Sequence, residues 1–165
     1  MVNEMNTAII STPVGLLEIT EDNNAIIKLS YIYEENIKKE INSYYLNKSI
    51  AQINEYFEGK RTSFDLKLNP EGTDFQIDVW KEVQKIPYGK TKTYLEIAKA
   101  IGDPGAARAV GNANNKNPIP ILIPCHRVVE ANGNLTGYAG GIKRKDWLLH
   151  HELKHSKSEM QLYLF

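Results

Sequence analysis

One cysteine stands beside one histidine in a rigid, apolar part of the chain. Cys125 is the only cysteine among 165 residues, and His126 follows it directly. A thiol becomes a strong nucleophile when it loses its proton, and a neighbouring base or positive charge raises the thiolate fraction at neutral pH. The chain has no second cysteine to form an intrachain disulfide. These residue types therefore favour attack by sulfur on a carbon atom over a thiol redox cycle.

A lone cysteine is more often a small buried apolar residue than a nucleophile. Three neighbours argue against that reading here. Pro124 fixes the backbone before the thiol, His126 titrates near neutral pH, and Arg127 places a permanent charge where a structural strand would be apolar. Because successive side chains of a strand point to opposite faces, we expect Cys125 and His126 to lie in a turn or at a strand end.

The elements around this pair are predicted to be mostly helical. Apolar residues at helical spacing follow Thr73 and stop before Pro87, which predicts a helix capped by Thr73. A second helix is predicted over residues 93–101, where Thr93 and Glu96 have the spacing of a capping box. A short strand at residues 128–129 and a final helix over residues 143–155 follow the cysteine.

A tight turn at residues 102–104 joins the second helix to a third, predicted over residues 105–115. Two short helices in this arrangement have the helix-turn-helix shape. The third helix has almost no side-chain bulk apart from Arg108. It either packs closely against a neighbouring helix or enters a DNA groove with one long cation.

The first 70 residues predict a separate α/β domain, built as a three-stranded meander with one helix over residues 44–58. The predicted strands cover residues 7–10, 16–20, 25–29 and 64–68. Residues 69–72 are turn-forming and are the predicted linker. The fold class is therefore α+β, with an N-terminal domain at 1–70, a mostly helical domain carrying the cysteine at 71–155, and a C-terminal tail at 156–165.

Composition and charge limit the classes of function. The chain is 42% hydrophobic and 24% charged, as in an ordinary globular protein. It lacks both the roughly 18 apolar residues of a membrane span and the basic start of a signal peptide, so we expect a cytoplasmic protein. The formal net charge is zero, but residues 80–128 carry eight basic and three acidic side chains. That local excess permits binding to nucleic acid.

Four segments of the second domain carry a resemblance to a known family. They are residues 106–111, residues 118–129 around the cysteine, the glycine-rich loop at 137–141, and residues 147–149 with Glu152. In order and spacing they resemble the O6-alkylguanine-DNA alkyltransferases. The resemblance covers about residues 72–153, whereas the first 70 residues match only in size and strand pattern.

The resemblance implies that the domain at 71–155 is a winged-helix-like DNA-binding domain. It also implies a direct-reversal DNA repair enzyme that acts once. Cys125 would accept a methyl or other alkyl group from O6-alkylguanine, and from O4-alkylthymine, irreversibly. His126 would take the thiol proton through a water molecule, and Glu152 would orient the imidazole. A carboxylate there would also favour an imidazolium beside a thiolate. Tyr94 would donate to guanine N3, and Asn117 would hold the turn before the cysteine.

The resemblance also implies that the damaged nucleotide rotates out of the duplex, because a stacked base cannot reach a buried thiol. Arg108 would fill the gap and Tyr94 would crowd the target phosphate. The other implied DNA-binding residues are Ala106, Ala107, Gly111 and Asn112. The implied pocket is lined by Val128, Tyr138, Ala139 and Gly140, and the carbonyls of Cys125 and Val128 would accept from the guanine amine. Some members of the family have serine where this chain has Ala139, which leaves more room.

The implied partner is double-stranded DNA containing O6-alkylguanine, bound by a monomer with no obligatory protein partner and no membrane. No cofactor and no metal are expected, because relatives with N-terminal zinc use two cysteines that this chain lacks. Three alternatives stand beside this reading. They are a lesion-binding relative, which would lack the cysteine, a winged-helix regulator, which would need neither Cys125 nor Glu152, and a Cys-His hydrolase, which rarely has the two residues adjacent.

Overall fold

The computed structural model of the chain describes residues 5–33 and 43–162. They fall into two compact units that divide between Glu71 and Gly72, so the division lies within the predicted linker at 69–72. No helix in the described ranges is long and apolar enough to cross a membrane.

The first unit contains the predicted meander. Strands β1 (Asn6–Thr12), β2 (Gly15–Asp22) and β3 (Ala25–Ile32) form one antiparallel sheet in the order β1-β2-β3. Asn23 and Asn24 join β2 to β3 with φ values of 50° and 58°. A two-residue hairpin turn of this kind requires positive φ at both positions, and asparagine tolerates it better than most residues. The predicted sheet is therefore confirmed, with longer strands.

One helix, α1 (Tyr44–Phe57), packs on this sheet. Ser43 caps it by accepting a hydrogen bond from the backbone N–H of Leu46, which satisfies one of the free donors at a helix start. The core of the unit consists of apolar side chains that the sheet and α1 bury between them. They include Leu17, Ile19, Ile26, Leu46, Ile53 and Tyr56.

The strand predicted over residues 64–68 is wrong. This segment meets the sheet in a single parallel bridge between Ile26 and Leu68. The Gln52 side chain accepts from the Asp65 backbone N–H at 2.9 Å and donates to the Asp65 carbonyl at 3.3 Å. Because a side chain satisfies these backbone groups, the alternating sequence forms no ladder with a neighbouring strand.

The second unit is mostly helical, as predicted. Its elements are α2 (Asp74–Gln84), β4 (Lys92–Thr93), α3 (Tyr94–Ala100), α4 (Ala107–Asn115), β5 (Val128–Val129) and α5 (Ile142–Leu162). Thr73 and Thr93 each close a capping box, with Gln76 and Glu96 as the reciprocal partners. The two short strands pair in parallel. A 3-10 turn at Pro104–Ala106 precedes α4, so this helix begins two residues later than predicted.

The C-terminal tail predicted at 156–165 is helical as far as the described residues extend. Helix α5 continues from Ile142 to Leu162, and residues 163–165 lie outside the described ranges. The sequence from 142 to 162 contains no glycine or proline, which are the residues that most often end a helix. The final helix therefore extends beyond its predicted end at residue 155.

Helix α4 is fixed against the rest of the second unit by a buried hydrogen bond. The Trp80 indole N–H on α2 donates to the Ala113 carbonyl on α4 at 2.9 Å. Val110 and Ala113 are buried on the same helix. Small side chains let α4 approach its neighbours closely, and Arg108 stays exposed on its outer side.

Candidate active site

Cys125 opens a short 3-10 turn, Cys125–Arg127. This confirms that Cys125 and His126 do not lie in a regular strand. Cys125 is buried, with 4% of its surface exposed, and its N–H donates to the Ile123 carbonyl at 2.7 Å. Asn117 holds the segment that precedes the cysteine. Its side chain donates to Ile123 O at 2.8 Å and accepts from Ile119 N–H at 2.9 Å.

The segment just before the cysteine is buried, and its backbone is bent at Ile121. Ile121 has a φ of 73°, a left-handed conformation that is a genuine outlier for a β-branched residue. Its side chain is 1% exposed, so the surrounding core holds this conformation in place. Such local strain is concentrated at functional sites.

His126 and Glu152 form a buried pair across 26 residues of sequence. The Nε2 atom of His126 lies 2.7 Å from Oε1 of Glu152, and the two side chains are 0% and 1% exposed. A carboxylate accepts hydrogen bonds, so Nε2 carries the hydrogen and Nδ1 carries the lone pair. Nδ1 is buried and has no hydrogen-bond partner among the described residues. In the neutral imidazole, Nδ1 is therefore the atom able to accept a proton.

Arg127 binds the same carboxylate as His126. It was not among the predicted site residues. Its Nε and Nη2 atoms donate to the two oxygens of Glu152, each at 2.9 Å, and Nη1 donates to the Ile86 carbonyl at 2.7 Å. The Gly89 N–H donates to the same carboxylate at 3.2 Å. The sequence signal for Arg127 as a site residue is its permanent charge within an apolar segment.

Burial and neighbouring charges shift the pKa values of Cys125, His126 and Glu152. Burial raises the pKa of the Cys125 thiol to about 11, against hydrogen bonding by Asn117 and the charge of Lys145. Burial, together with the charges of Arg127 and Lys145, lowers the pKa of His126, although the hydrogen bond and charge of Glu152 act to raise it. Burial alone would raise the pKa of Glu152, but the hydrogen bonds and charges of His126 and Arg127 hold it well below its usual range. These directions favour a thiol, a neutral imidazole and a carboxylate over the expected imidazolium–thiolate pair.

Tyr94 and a buried lysine meet at one carbonyl. Tyr94 begins α3, and its hydroxyl donates to Thr136 O at 3.2 Å. Lys145 on α5 is 0% exposed and donates to Thr136 O at 3.0 Å and to Val128 O at 2.6 Å. Burial raises the pKa of Tyr94 and lowers that of Lys145. Sequence reasoning missed Lys145, because its spacing gives no sign that it is buried.

The glycine-rich loop lies directly against Tyr94. A Cβ atom added to Gly137, whose φ is 67°, would lie 3.3 Å from the Tyr94 hydroxyl. Tyr138 is buried and Ala139 is exposed, while Gly140 is half-buried. The Arg144 side chain on α5 donates to the Gly140 carbonyl at 3.0 Å.

Helix α4 lies against Tyr94 and contacts the backbone of Cys125. A Cβ atom added to Gly111 would lie 3.8 Å from the Tyr94 ring, and the Asn114 amide donates to Cys125 O at 3.2 Å. The structure thus joins Tyr94 and Gly111 to the cysteine region. Arg108 and Asn112 are exposed, and Ala106 and Ala107 are half-buried.

Residues 151–155 read His-Glu-Leu-Lys-His, the spacing of a zinc-protease helix. Here the central Glu152 is bonded to His126 and Arg127. Within the described ranges there is no group of three or more His, Cys, Asp or Glu side chains that could hold a metal ion.

Both units match one family along nearly their whole length. Residues 74–154 match the DNA-binding domain of 6-O-methylguanine DNA methyltransferase, and residues 5–70 match the ribonuclease-like domain of the same protein. The chain belongs to the 6-O-methylguanine DNA methyltransferase family. This agrees with the resemblance noted in the sequence.

Individual members of this family support the assignment. The chain is 47% identical over 153 residues to a methylated-DNA–protein-cysteine methyltransferase of Methanosarcina acetivorans, covering 88% of this chain and 96% of the relative. The crystal structure of Mycobacterium tuberculosis O6-methylguanine methyltransferase matches with a TM-score of 0.85 at 40% identity, covering 97% and 99% of the two chains. The structure of Mycobacterium tuberculosis OGT in complex with DNA matches with a TM-score of 0.82 at 44% identity, covering 89% and 92%. The predicted fold class is confirmed.

Proposed function

We propose that this methyltransferase-family protein repairs DNA by moving a methyl or other alkyl group from O6-alkylguanine to Cys125. The observation that carries the proposal is the buried thiol beside His126, whose Nδ1 lone pair is fixed by the bond between Nε2 and Glu152. The names of relatives at 47% identity or more support the same reaction.

The chemistry is one displacement at carbon. A bond forms between Sγ and the alkyl carbon while the bond from that carbon to O6 breaks, and the electron pair leaves with the guanine. The thiol proton passes to His126 Nδ1 through a water molecule, and the leaving guanine takes a proton at N3 from Tyr94. With a thiol pKa of about 11, little thiolate is present at neutral pH, so the base must act during the reaction.

Further groups support the transition state. The Lys145 charge favours the thiolate form of Cys125, and the backbone N–H groups of the loop at 137–141 supply donors toward O6. Val128, Tyr138, Ala139 and Gly140 line the pocket in this proposal. Asn117 keeps the cysteine turn in register with α4.

The substrate is double-stranded DNA, from which the damaged nucleotide rotates into the pocket. Arg108 enters the stack from the slim helix α4, and Ala106, Ala107, Gly111 and Asn112 lie along the minor groove. A Mycobacterium tuberculosis relative has been crystallised with DNA. O4-alkylthymine is a second substrate, the protein acts as a cytoplasmic monomer, and no partner protein is needed.

Single-turnover mass measurement tests the proposal. Incubation with an O6-methylguanine oligonucleotide should replace one thiol hydrogen by one methyl group, on the peptide that contains Cys125, and transfer should stop at one methyl per protein molecule. The reason is that a thioether has no leaving path back and the chain has no second cysteine. Cys125→Ala should bind the same DNA and gain no mass. Continued turnover with excess substrate would contradict the proposal.

A further inference from the structure

The glycine-rich loop and Tyr94 share one anchor, the backbone carbonyl of Thr136. The Tyr94 hydroxyl donates to this carbonyl at 3.2 Å, and the Lys145 ammonium group donates to it at 3.0 Å. A Cβ atom added to the next residue, Gly137, would lie 3.3 Å from the same hydroxyl. The position of Thr136 therefore determines where the Tyr94 hydroxyl is held before a substrate enters.

The Thr136 side chain is fixed by a carboxylate that takes no part in the proposed proton transfers. Its hydroxyl donates to Glu130 Oε1 at 2.6 Å, and both residues are half-buried. The tip of the turn between them is held by separate bonds, from Gly133 N–H to Glu130 O and from Asn134 N–H to Asn132 Oδ1, each at 2.9 Å. The bond between Glu130 and Thr136 joins the two ends of this turn, on the side that meets Tyr94.

The same carboxylate also acts on the Tyr94 hydroxyl through its charge. Burial raises the pKa of Tyr94, and the negative charge of Glu130 raises it further. A phenol that keeps its proton is the form that can donate to a base. Both the hydrogen bond to Thr136 and the charge thus connect Glu130 with the hydroxyl that donates.

We propose that Glu130 is a positioning residue, which acts through Thr136 to hold the Tyr94 hydroxyl ready for donation to guanine N3. This inference rests on the proposed function. Donors that are already in place need no rearrangement at the moment of reaction. A hydroxyl has one hydrogen, so Tyr94 leaves the Thr136 carbonyl when it donates to the base. Lys145 keeps that carbonyl paired, which makes the exchange less costly.

The test removes each side of the hydrogen bond in turn. Single-turnover transfer from a duplex carrying O6-methylguanine is measured as a function of protein concentration. Glu130→Ala and Thr136→Val should each lower the maximal rate by about 3- to 10-fold, the factor that one hydrogen bond gives, and leave the half-saturating concentration unchanged. The double variant should be no slower than either single variant, because both changes break the same bond. Asn132→Ala removes a hydrogen bond at the exposed tip of the same turn and should keep the wild-type rate.

Conservative variants separate the hydrogen bond from the charge. Glu130→Gln keeps an acceptor for the Thr136 hydroxyl, and Thr136→Ser keeps the donor, so both should recover most of the wild-type rate. A Glu130→Gln variant as slow as Glu130→Ala would show that the charge matters instead of the position of Thr136, and would overturn the inference. A double variant slowed by the product of the two single effects, or a raised half-saturating concentration with an unchanged maximal rate, would overturn it as well.

The dependence on Tyr94 separates positioning from general damage to the loop. In a Tyr94→Phe background, Glu130→Ala should change the rate by less than about 2-fold, because no hydroxyl remains to be positioned. An undiminished loss in that background would show that Glu130 supports the fold of the loop, and would contradict the inference. Thr136→Val keeps the shape of its side chain and gives the same comparison if Glu130→Ala does not fold. A wild-type protein that accepts no methyl group from the duplex contradicts the proposed function itself.

Discussion

Glu152 fixes the tautomer of His126, as the proposed role of His126 as a base requires. Glu152 holds the hydrogen on Nε2, which leaves Nδ1 as the acceptor. A base is needed here, because burial raises the pKa of Cys125 to about 11. At neutral pH the thiolate is scarce, and the rate depends on how well the proton is removed during attack.

We predict that His126→Gln slows transfer at pH 7 by about 10²- to 10⁴-fold, the range typical of proton-transfer assistance. Hydroxide must then ionise the thiol, so the log rate should rise by about one per pH unit as the pH approaches the thiol pKa. The wild-type profile should be shallower. Free O6-benzylguanine is the substrate for this measurement, since high pH would melt a duplex. Parallel wild-type and variant profiles would show that His126 does not act as the base.

Glu152 has a structural role in addition to orienting His126. We predict that Glu152→Gln lowers the free energy of unfolding by roughly 3–5 kcal/mol, the cost of leaving a buried charge unpaired. The unpaired charge is Arg127, which is 6% exposed. Loss of transfer in this variant therefore mixes chemistry with stability, whereas His126→Gln keeps the bonds between Arg127 and Glu152.

Acid should reduce this difference. A carboxyl whose pKa is lowered by folding contributes its full stabilisation above its unfolded pKa, here 4.5, and loses it progressively as the pH falls from that value towards the lower pKa of the folded state. The gap in unfolding free energy between wild type and Glu152→Gln should then narrow below about pH 4.5. Chemical denaturation at pH 7 and pH 3.5 measures it. A constant gap would show that the ionised carboxylate contributes nothing to stability.

At the scale of elements, α4 combines small side chains with one long exposed cation. Its small residues allow close approach to neighbouring surfaces, and one long cation, Arg108, is exposed on it. Its other side is tied to α2 through Trp80 and to the cysteine turn through Asn114. A helix that seats on DNA would thereby be fixed relative to the nucleophile.

We predict that Arg108→Ala slows transfer from duplex DNA by roughly 10- to 100-fold, because nothing then fills the gap left by a rotated base. Transfer from free O6-benzylguanine should change little, since no base leaves a stack. Lys116→Ala removes an exposed cation at the end of the same helix and controls for charge alone. Equal losses on duplex and free base would place Arg108 in the pocket or the fold instead.

The sequence predicted elements that carry local signals and missed features set by distant partners. The capping boxes at Thr73 and Thr93 mark helix starts within a few residues, so α2 and α3 were predictable. Residues 64–68 alternate like a strand, but residues distant in sequence bind their backbone, Gln52 at Asp65 and Tyr45 at Lys67. Helix α5 has no internal stop signal, so its end could not be read from the sequence.

The same distinction holds at the site. Cys125, His126 and Glu152 could be predicted because a resemblance supplied Glu152, which lies 26 residues from His126. Arg127 and Lys145 were missed because charged side chains are normally exposed, and only the folded partners show why these two are buried. Their roles depend on contacts that no spacing reveals.

At the scale of the whole molecule, the charge distribution sets the strength and salt dependence of DNA binding. The net charge is zero, and the excess around the cysteine is smaller than the sequence count of residues 80–128 indicates. Arg127 belongs to that count but is buried against Glu152, so it does not meet phosphate. The exposed cations of this region can neutralise only a few phosphates.

We predict that the slope of log K against log salt lies at about −3 to −4, which corresponds to roughly four phosphate contacts. Binding should tolerate any sequence, because α4 offers few groups that distinguish bases. Fluorescence anisotropy with undamaged duplexes between low and moderate salt measures both properties. A slope near −10, or strong preference for one undamaged sequence, would contradict this picture.

The burial of Cys125 also determines how long the protein survives before it meets damage. Oxidation and alkylation by small molecules proceed through an accessible thiolate, and this thiol is 4% exposed with a pKa of about 11. We therefore expect peroxides, and small electrophiles that the pocket does not bind, to react slowly with Cys125. A base delivered into the pocket finds the same sulfur beside His126, with its proton acceptor in place. A reagent that can be used only once is in this way kept from premature inactivation and stays ready for the lesion.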